Sequence, residues 1–137
     1  MNKFINKLIF DIEWFDDSMP DLVGLNIKVA NDRLSANFDC FASLEDIKKT
    51  WGRELTTQIL SDKKFIWELQ GYYARTVKIE CYKANSTGLI NLKFNISYEV
   101  ESEVTEQCTL IIEAEPAQLD SFGEKMKQLE AGESVEL

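Results

Sequence analysis

Apolar and polar residues alternate along most of this chain. In the stretch GLINLKFNISYEVESEV, Gly88 to Val104, every second residue from Ile90 to Val100 is apolar and the residues between are mostly polar. A period of two predicts a strand with one face in the core. The pattern predicts six further strands, in Lys7–Phe15, Leu22–Ala30, Leu34–Cys40, Phe65–Leu69, Val77–Cys81 and Val104–Ala114.

Two segments show helical spacing instead, with an apolar residue at every third or fourth position. The first helix is predicted to begin after Ser43, whose side chain can cap it, and the second at Pro116. Gly52 inside the first helix suggests that another backbone or side chain packs closely there. The apolar stripes are Leu44, Ile47, Trp51, Leu55 and Ile59 in the first helix, and Leu119, Phe122, Met126 and Leu129 in the second.

The order of elements is therefore βββαββββα. This order predicts one α+β domain over residues 1–137, with a curved antiparallel sheet of about six to seven strands and two helices packed against it. Residues 131–137 are predicted to be a frayed acidic tail.

Register can be predicted for the last hairpin because a slip of one residue would turn the wrong face inward. The inward residues are even-numbered in both strands, so the loop is expected to contain an odd number of residues. A three-residue loop at Ser102–Val104 opposes Tyr98 with Cys108 and outward Lys93 with Glu113.

The formal net charge of −9 disfavours nucleic acid and anionic membranes as ligands, because both require clustered Lys and Arg. It favours a basic protein partner, although acidity also serves solubility alone. Cys40, Cys81 and Cys108 are predicted to be reduced, buried thiols. Met1–Asp11 does not fit a signal peptide and no apolar run is long enough to span a bilayer, so a cytoplasmic location is expected.

The residue types exclude much of common enzyme chemistry. The chain contains no histidine, which removes the usual nucleophilic triads and most catalytic zinc sites. No glycine-rich phosphate-binding motif occurs. We therefore expect a protein that is not an enzyme, with no catalytic, cofactor-binding or metal-binding residues.

Carboxylates form two clusters along the sequence, the first within Asp11–Asp21 and the second within Glu99–Glu106. Those of the second cluster project in a row from one strand face, about 6.6–6.8 Å apart, and do not converge on a reactive centre. The clusters are interpreted either as a solvated outer face or as an acidic docking surface, in which neighbouring aromatic residues serve as hot spots. The candidate partner-binding residues are Asp11, Glu13, Phe15, Asp16, Asp17, Tyr72, Tyr73, Glu99, Glu101, Glu103 and Glu106.

Three segments carry a resemblance to a known group of proteins. They are FDCFASLEDIKKTWGREL with Trp51, KFIWELQGYYARTVKIECYKANSTGLINLKFNISYEV with Trp67 and Gly88, and QCTLIIEAEPAQLDSFGEKMKQL with the Glu115-Pro116 step before Leu119. From Phe38 to Leu129, about two-thirds of the chain, this order resembles small bacterial proteins of polymorphic-toxin and contact-dependent inhibition systems, which often serve as immunity factors.

The resemblance implies a protein that binds a toxin or effector domain and occludes its active site. Toxin domains are often basic nucleases, and an acidic inhibitor would be steered towards such a partner. Two alternatives stay open. One is a small-ligand-binding or carboxylate-based enzyme domain with a pocket in the curved sheet, lined by Phe38, Trp67 and Phe94. The other is an acidic DNA mimic, which requires carboxylates spaced like phosphates along two rows.

Overall fold

The computed structural model describes residues 6–16, 19–55, 64–71, 75–84, 88–101, 104–130 and 132–137, with the main chain alone at 14–16, 19–21, 53, 70–71, 75, 99–101 and 104–105. Within these residues, eight strands follow the order β7-β6-β5-β4-β3-β2-β1-β8, and every neighbouring pair is antiparallel. The predicted α+β class and antiparallel pairing are confirmed.

The strands are β1 (Lys7–Asp16), β2 (Met19–Ala30), β3 (Ser35–Ser43), β4 (Phe65–Gly71), β5 (Arg75–Lys83), β6 (Ile90–Glu101), β7 (Val104–Ala114) and β8 (Ser134–Glu136). Helix α1 (Leu44–Lys49) continues into a π-helical turn, Thr50–Glu54, and α2 spans Pro116–Lys127.

Helix α1 packs against β2 and β3, α2 packs against β8, and their buried side chains share one core with the inward residues of the strands. The alternating apolar residues of the strands point towards this core, as the period of two predicts. An aromatic cluster joins the layers: the ring of Phe10 lies 5.0 Å from that of Trp51 and 5.4 Å from that of Phe122. Trp67 adds a fourth ring, 5.6 Å from Trp51. The opposite, outer face carries mostly polar residues, with Ile66 and Ile111 exposed among them.

The single curved sheet of the prediction is not confirmed. Strands β3 and β4 are paired only at Cys40↔Gly71 and Phe41↔Gln70 within the described residues, so the strands divide into two groups of four. The first group is β8-β1-β2-β3 and the second is β4-β5-β6-β7. A further contact joins the groups where Asn31 Nδ2 donates to the Ile111 carbonyl at 3.0 Å.

The C-terminal residues differ from the expected frayed tail. They form β8, which pairs with β1 through Phe10↔Val135, and Val135 is buried. The Leu137 amide also donates to the Leu8 carbonyl at 2.9 Å. Composition alone suggested a tail because the segment is short and acidic. Burial of the Val135 side chain stabilises the segment as a strand instead.

Helix α1 begins as predicted, because the Asp46 amide donates to Ser43 Oγ at 3.1 Å. The close packing expected at Gly52 is also confirmed, since a Cβ there would lie 2.9 Å from Lys127 Cγ on α2. A Cβ on Gly123 would lie 2.6 Å from the Trp51 carbonyl oxygen, which belongs to the backbone and cannot move aside as a side chain can. Gly123 is therefore required where the π-helical turn meets α2.

The β6–β7 register was predicted two residues away from the observed one. Ile96, not Tyr98, opposes Cys108, and Lys93 opposes Ile111 instead of Glu113. The predicted parity is correct along the main ladder. A register shift between Glu99 and Glu101 adds one residue to β6, so Glu101 pairs with Val104 across a two-residue loop.

The segment DDSMPD, Asp16–Asp21, is rich in Asp, Ser and Pro and predicts a turn, but the observed β1–β2 connection is shorter. Asp16 pairs with Met19, so β2 begins earlier than expected. A register shift also falls at Glu13, because Ile12 pairs with Leu25 while Trp14 pairs with Gly24. Glu13 is the extra residue of a β-bulge. The period of two in β1, which predicts Trp14 on the core face and Phe15 on the outer face, therefore does not continue across Glu13.

Candidate functional site

The candidate site residues from the sequence fall in different parts of the structure. Asp11 and Glu13 lie on β1 and Glu106 is exposed on β7. Only the main chain is described for Phe15 and Asp16 in β1 and for Glu99 and Glu101 in β6. Asp17, Tyr72, Tyr73 and Glu103 lie outside the described residues.

The outer face of the first strand group carries an acidic patch, which we define as Asp11, Glu13 and Asp39 around Asn26. Asn26 pairs with Asp11 on one side and with Asp39 on the other, so the three residues form one row across β1, β2 and β3. Paired residues on the same face of a sheet have Cβ atoms about 4.5–5.5 Å apart. The register therefore brings together carboxylates that are far apart in sequence.

Asn26 is the buried floor of the acidic patch, with 6% of its surface exposed. Its Nδ2 donates to Asp39 Oδ1 at 2.8 Å and to Asn37 Oδ1 at 2.6 Å, both on β3. Its Oδ1 is covered and has no hydrogen-bond partner among the described residues. An unpaired buried acceptor costs free energy, so this atom is a natural target for an added donor.

The carboxylates of the acidic patch repel one another. Partial burial raises the pKa of Glu13, the negative charges of Asp39 and Asp11 raise it further, and only Lys28 lowers it. Lys28 Nζ lies 3.5 Å from Asp11 Oδ2, which is the one ion pair of the patch in the described part of the chain. The patch therefore holds more negative charge than its own cation balances.

The second strand group carries the opposite arrangement, which we call the Glu80 centre. The Glu80 side chain is only 9% exposed on the outer face, and three ammonium groups surround its carboxylate. Lys78 lies at 3.4 Å, Lys64 at 3.6 Å and Lys93 at 3.9 Å. Burial raises the pKa of Glu80, but the hydrogen bond from Lys78 and the charges of the three lysines outweigh it, so the net pKa is lowered.

A shallow depression of about 410 Å³ lies beside the Glu80 centre on β4–β7. Its floor consists of short polar side chains that pair with one another: Thr76 Oγ1 lies 3.3 Å from Ser97 Oγ, and Thr109 donates to Asn95 at 3.0 Å. Glu68 stands at its edge. The aromatic residues expected to line a pocket, Phe38, Trp67 and Phe94, are instead buried in the core.

Two of the three cysteines follow the expectation of burial. Cys40 and Cys81 are buried thiols, whereas Cys108 is only partly buried. Burial raises the pKa of the Cys81 thiol, which keeps it protonated and unreactive. Among the residues that the structure describes, no group of three or more His, Cys, Asp or Glu side chains could hold a metal ion. No described helix has the length and apolar character that a membrane crossing requires.

Sequence reasoning missed Asp39 and Asn26 of the acidic patch and every member of the Glu80 centre. The segment NSTG, Asn85–Gly88, is typical of a turn. A four-residue turn there opposes Glu80 with Lys93, as observed, so the sequence contained a signal for the Glu80 centre. No comparable signal existed for the acidic patch. A two-residue turn at Asn31-Asp32 would oppose Asn26 with Asn37, whereas the chain turns over four residues and opposes it with Asp39.

The chain was compared with known proteins at three levels. No protein-family model, no curated protein and no solved structure matches it. The assignment of function therefore depends on the surface chemistry described above.

Proposed function

We propose that this chain is a non-enzymatic binding protein of the immunity type, which neutralises a basic toxin or effector domain. The observation that supports this is the acidic patch: Asp11, Glu13 and Asp39 share one face, and Lys28 is the one lysine paired with them among the described residues. Surplus negative charge on an exposed sheet face attracts a cationic surface and speeds its association.

The mode of inhibition follows from the same charges. A basic nuclease binds the phosphates of its substrate through Lys and Arg side chains. Carboxylates on the outer face of β1–β3 would occupy those side chains in place of phosphate. Occlusion of the toxin's active site then needs no catalytic group in this chain.

A capture experiment with matched charge-reversal variants tests the proposal. The full chain is immobilised and used to capture partners from the producing cells, and each captured protein is assayed for toxic activity with and without the chain. We expect one basic partner whose capture weakens with salt and whose activity is neutralised. Asp11→Lys and Asp39→Lys should abolish capture, while Glu113→Lys on exposed β7 should retain it.

The proposal fails if the captured partner is a metabolic enzyme, or if its activity is unchanged by the chain. It also fails if Glu113→Lys weakens capture as much as Asp39→Lys, because net charge alone would then explain the binding.

A second function, binding of a small polar ligand, is favoured by the depression on β4–β7. The paired hydroxyl and amide side chains of its floor can exchange their mutual hydrogen bonds for bonds to a ligand. A metabolite panel that raises the melting temperature of the chain, but not of Asn95→Leu, would favour this function over inhibition.

A further inference from the structure

The acidic patch contains more hydrogen-bond acceptors than donors. Carboxylates accept only, and Asp11, Glu13 and Asp39 together supply six oxygen atoms. Against these, the described donors are Lys28 Nζ at Asp11 and Asn26 Nδ2 at Asp39. A group that donates several hydrogen bonds and accepts none would complete the patch.

The orientation of Asn26 adds an independent observation. Its Nδ2 is directed at oxygens of Asn37 and Asp39 on β3, so its Oδ1 is turned away from β3, towards Asp11 on β1. Exchanging the two amide atoms would place an oxygen against two oxygens, which fixes this assignment. An unpartnered, buried acceptor is therefore directed into the patch. Because it is covered, neighbouring side chains must move aside for a donor to reach it.

We propose that the acidic patch is the seat of one arginine side chain of the protein partner. This inference rests on the proposed function and names the chemistry of the contact. A guanidinium carries five N–H donors in a planar fork and no acceptor, whereas an ammonium acts as a compact point charge. Lys28 already supplies such a point charge at Asp11, and the fork can serve Asn26 Oδ1 and a carboxylate together.

Binding at this seat is coupled to proton release. The groups that face Glu13 are Asp11 on β1, Lys28 on β2 and Asp39 on β3. Glu133, next to β8, directs its carboxylate to the Glu130 amide at 2.8 Å. An incoming cation favours the ionised form of Glu13 and lowers its raised pKa. Affinity for the cation should therefore increase as pH rises through that pKa.

The test uses the full chain and capped Gly-Arg-Gly, Gly-Lys-Gly and Gly-Gln-Gly peptides, with side-chain carboxyl signals followed by NMR. We expect saturable shifts at Asp11, Glu13 and Asp39 with the arginine peptide, and a lower pKa of Glu13 in its presence. Glu13→Gln should weaken binding about tenfold, the loss expected for one charge-assisted hydrogen bond. Glu113→Gln should bind as the parent does.

Equal affinity for the lysine and arginine peptides would overturn the inference, as would shifts that never saturate. Glu13 is exposed, so Glu13→Gln should fold normally, and its melting temperature verifies this. The outcome is separable from that of the proposed function. If the arginine peptide binds but no toxin is captured, the arginine seat is supported and the proposed function fails. If a partner is captured and neutralised without contacting the patch, the arginine seat is refuted and the proposed function is retained.

Discussion

The acidic patch and the Glu80 centre lie on the same face of the sheet and treat carboxylates in opposite ways. Glu80 is buried among three lysines, and its pKa is lowered despite the cost of burial. The Glu13 carboxylate loses part of its hydration and lies beside the negative charges of Asp39 and Asp11, and both effects raise its pKa. One region surrounds its carboxylate with an excess of cations, and the other leaves negative charge unbalanced.

The difference separates structural charges from charges available to a partner. A carboxylate that is already matched by cations gains little from an external cation, while one held beside like charges gains relief from repulsion. The composition of the whole chain, with its net charge of −9, does not distinguish these cases. Only the register of the strands does, since it decides which residues oppose each other.

The largest expected effect comes from removing the cations of the Glu80 centre. In the triple variant Lys64→Met, Lys78→Met and Lys93→Met, burial alone acts on Glu80 and should raise its pKa. We expect the free energy of unfolding at neutral pH to fall by about 2 kcal/mol, less than for a fully buried pair because the lysines are partly exposed. Urea unfolding measures the loss.

Adding Glu80→Met to that triple variant is the matched control. Replacing an entire ion group by apolar residues is often neutral, so most of the lost stability should return. If the quadruple variant is as unstable as the triple one, the lysine stems and not the isolated carboxylate account for the loss.

The next effect is expected from Glu80→Gln, which keeps the shape of the side chain and removes its charge. Because the pKa of Glu80 is lowered on folding, its stabilising contribution is present above its ordinary pKa and is lost as pH falls through the lowered value. The variant should therefore lose about 1 kcal/mol at neutral pH and less in acid. A loss that is the same at both pH values would contradict this assignment.

A smaller effect of opposite sign is expected from Glu13→Gln. A raised pKa means that stability is present below the ordinary pKa and is lost as pH rises through the folded value. Removing the charge should raise the free energy of unfolding at neutral pH, by at most about 0.5 kcal/mol because solvent screens an exposed group. Glu113→Gln is the control and should leave it unchanged.

The smallest effect is expected from Asp39→Asn, which retains an Oδ1 acceptor for Asn26 while removing one negative charge. Stability should change by no more than about 0.5 kcal/mol. The pKa of Glu13 should move down towards its ordinary value, as observed by NMR titration. An unchanged pKa would show that Asp39 does not act on Glu13.

Alternation in the sequence was sufficient to predict the strands and the outward position of Asp11, but not the register of the strand pairs. It works because a strand with one buried face has no tolerance for a slip of one residue. Alternation could not predict a slip of two residues, because such a slip leaves every side chain on the same face of the sheet. The opposition of Ile96 with Cys108 and of Asn26 with Asp39 depends on turn geometry and on bulges, which the alternation does not encode.

The acidic end of β6 is a second place where alternation does not predict the strand pairing. Its register shift between Glu99 and Glu101 depends on local backbone geometry. The patch on β1–β3 was only half visible, because Asp39 and Asn26 belong to segments that show no acidic cluster in the sequence. A charged site assembled across three strands requires the correct register at two turns.

The most direct test of the contrast is a single NMR titration of all side-chain carboxyl groups in the unmodified chain. The account predicts that Glu13 titrates above, and Glu80 below, the ordinary range of a glutamic acid in the same sample. If both groups titrate on the same side of that range, or if their order is reversed, the distinction between an unbalanced acidic patch and a carboxylate matched by cations is refuted.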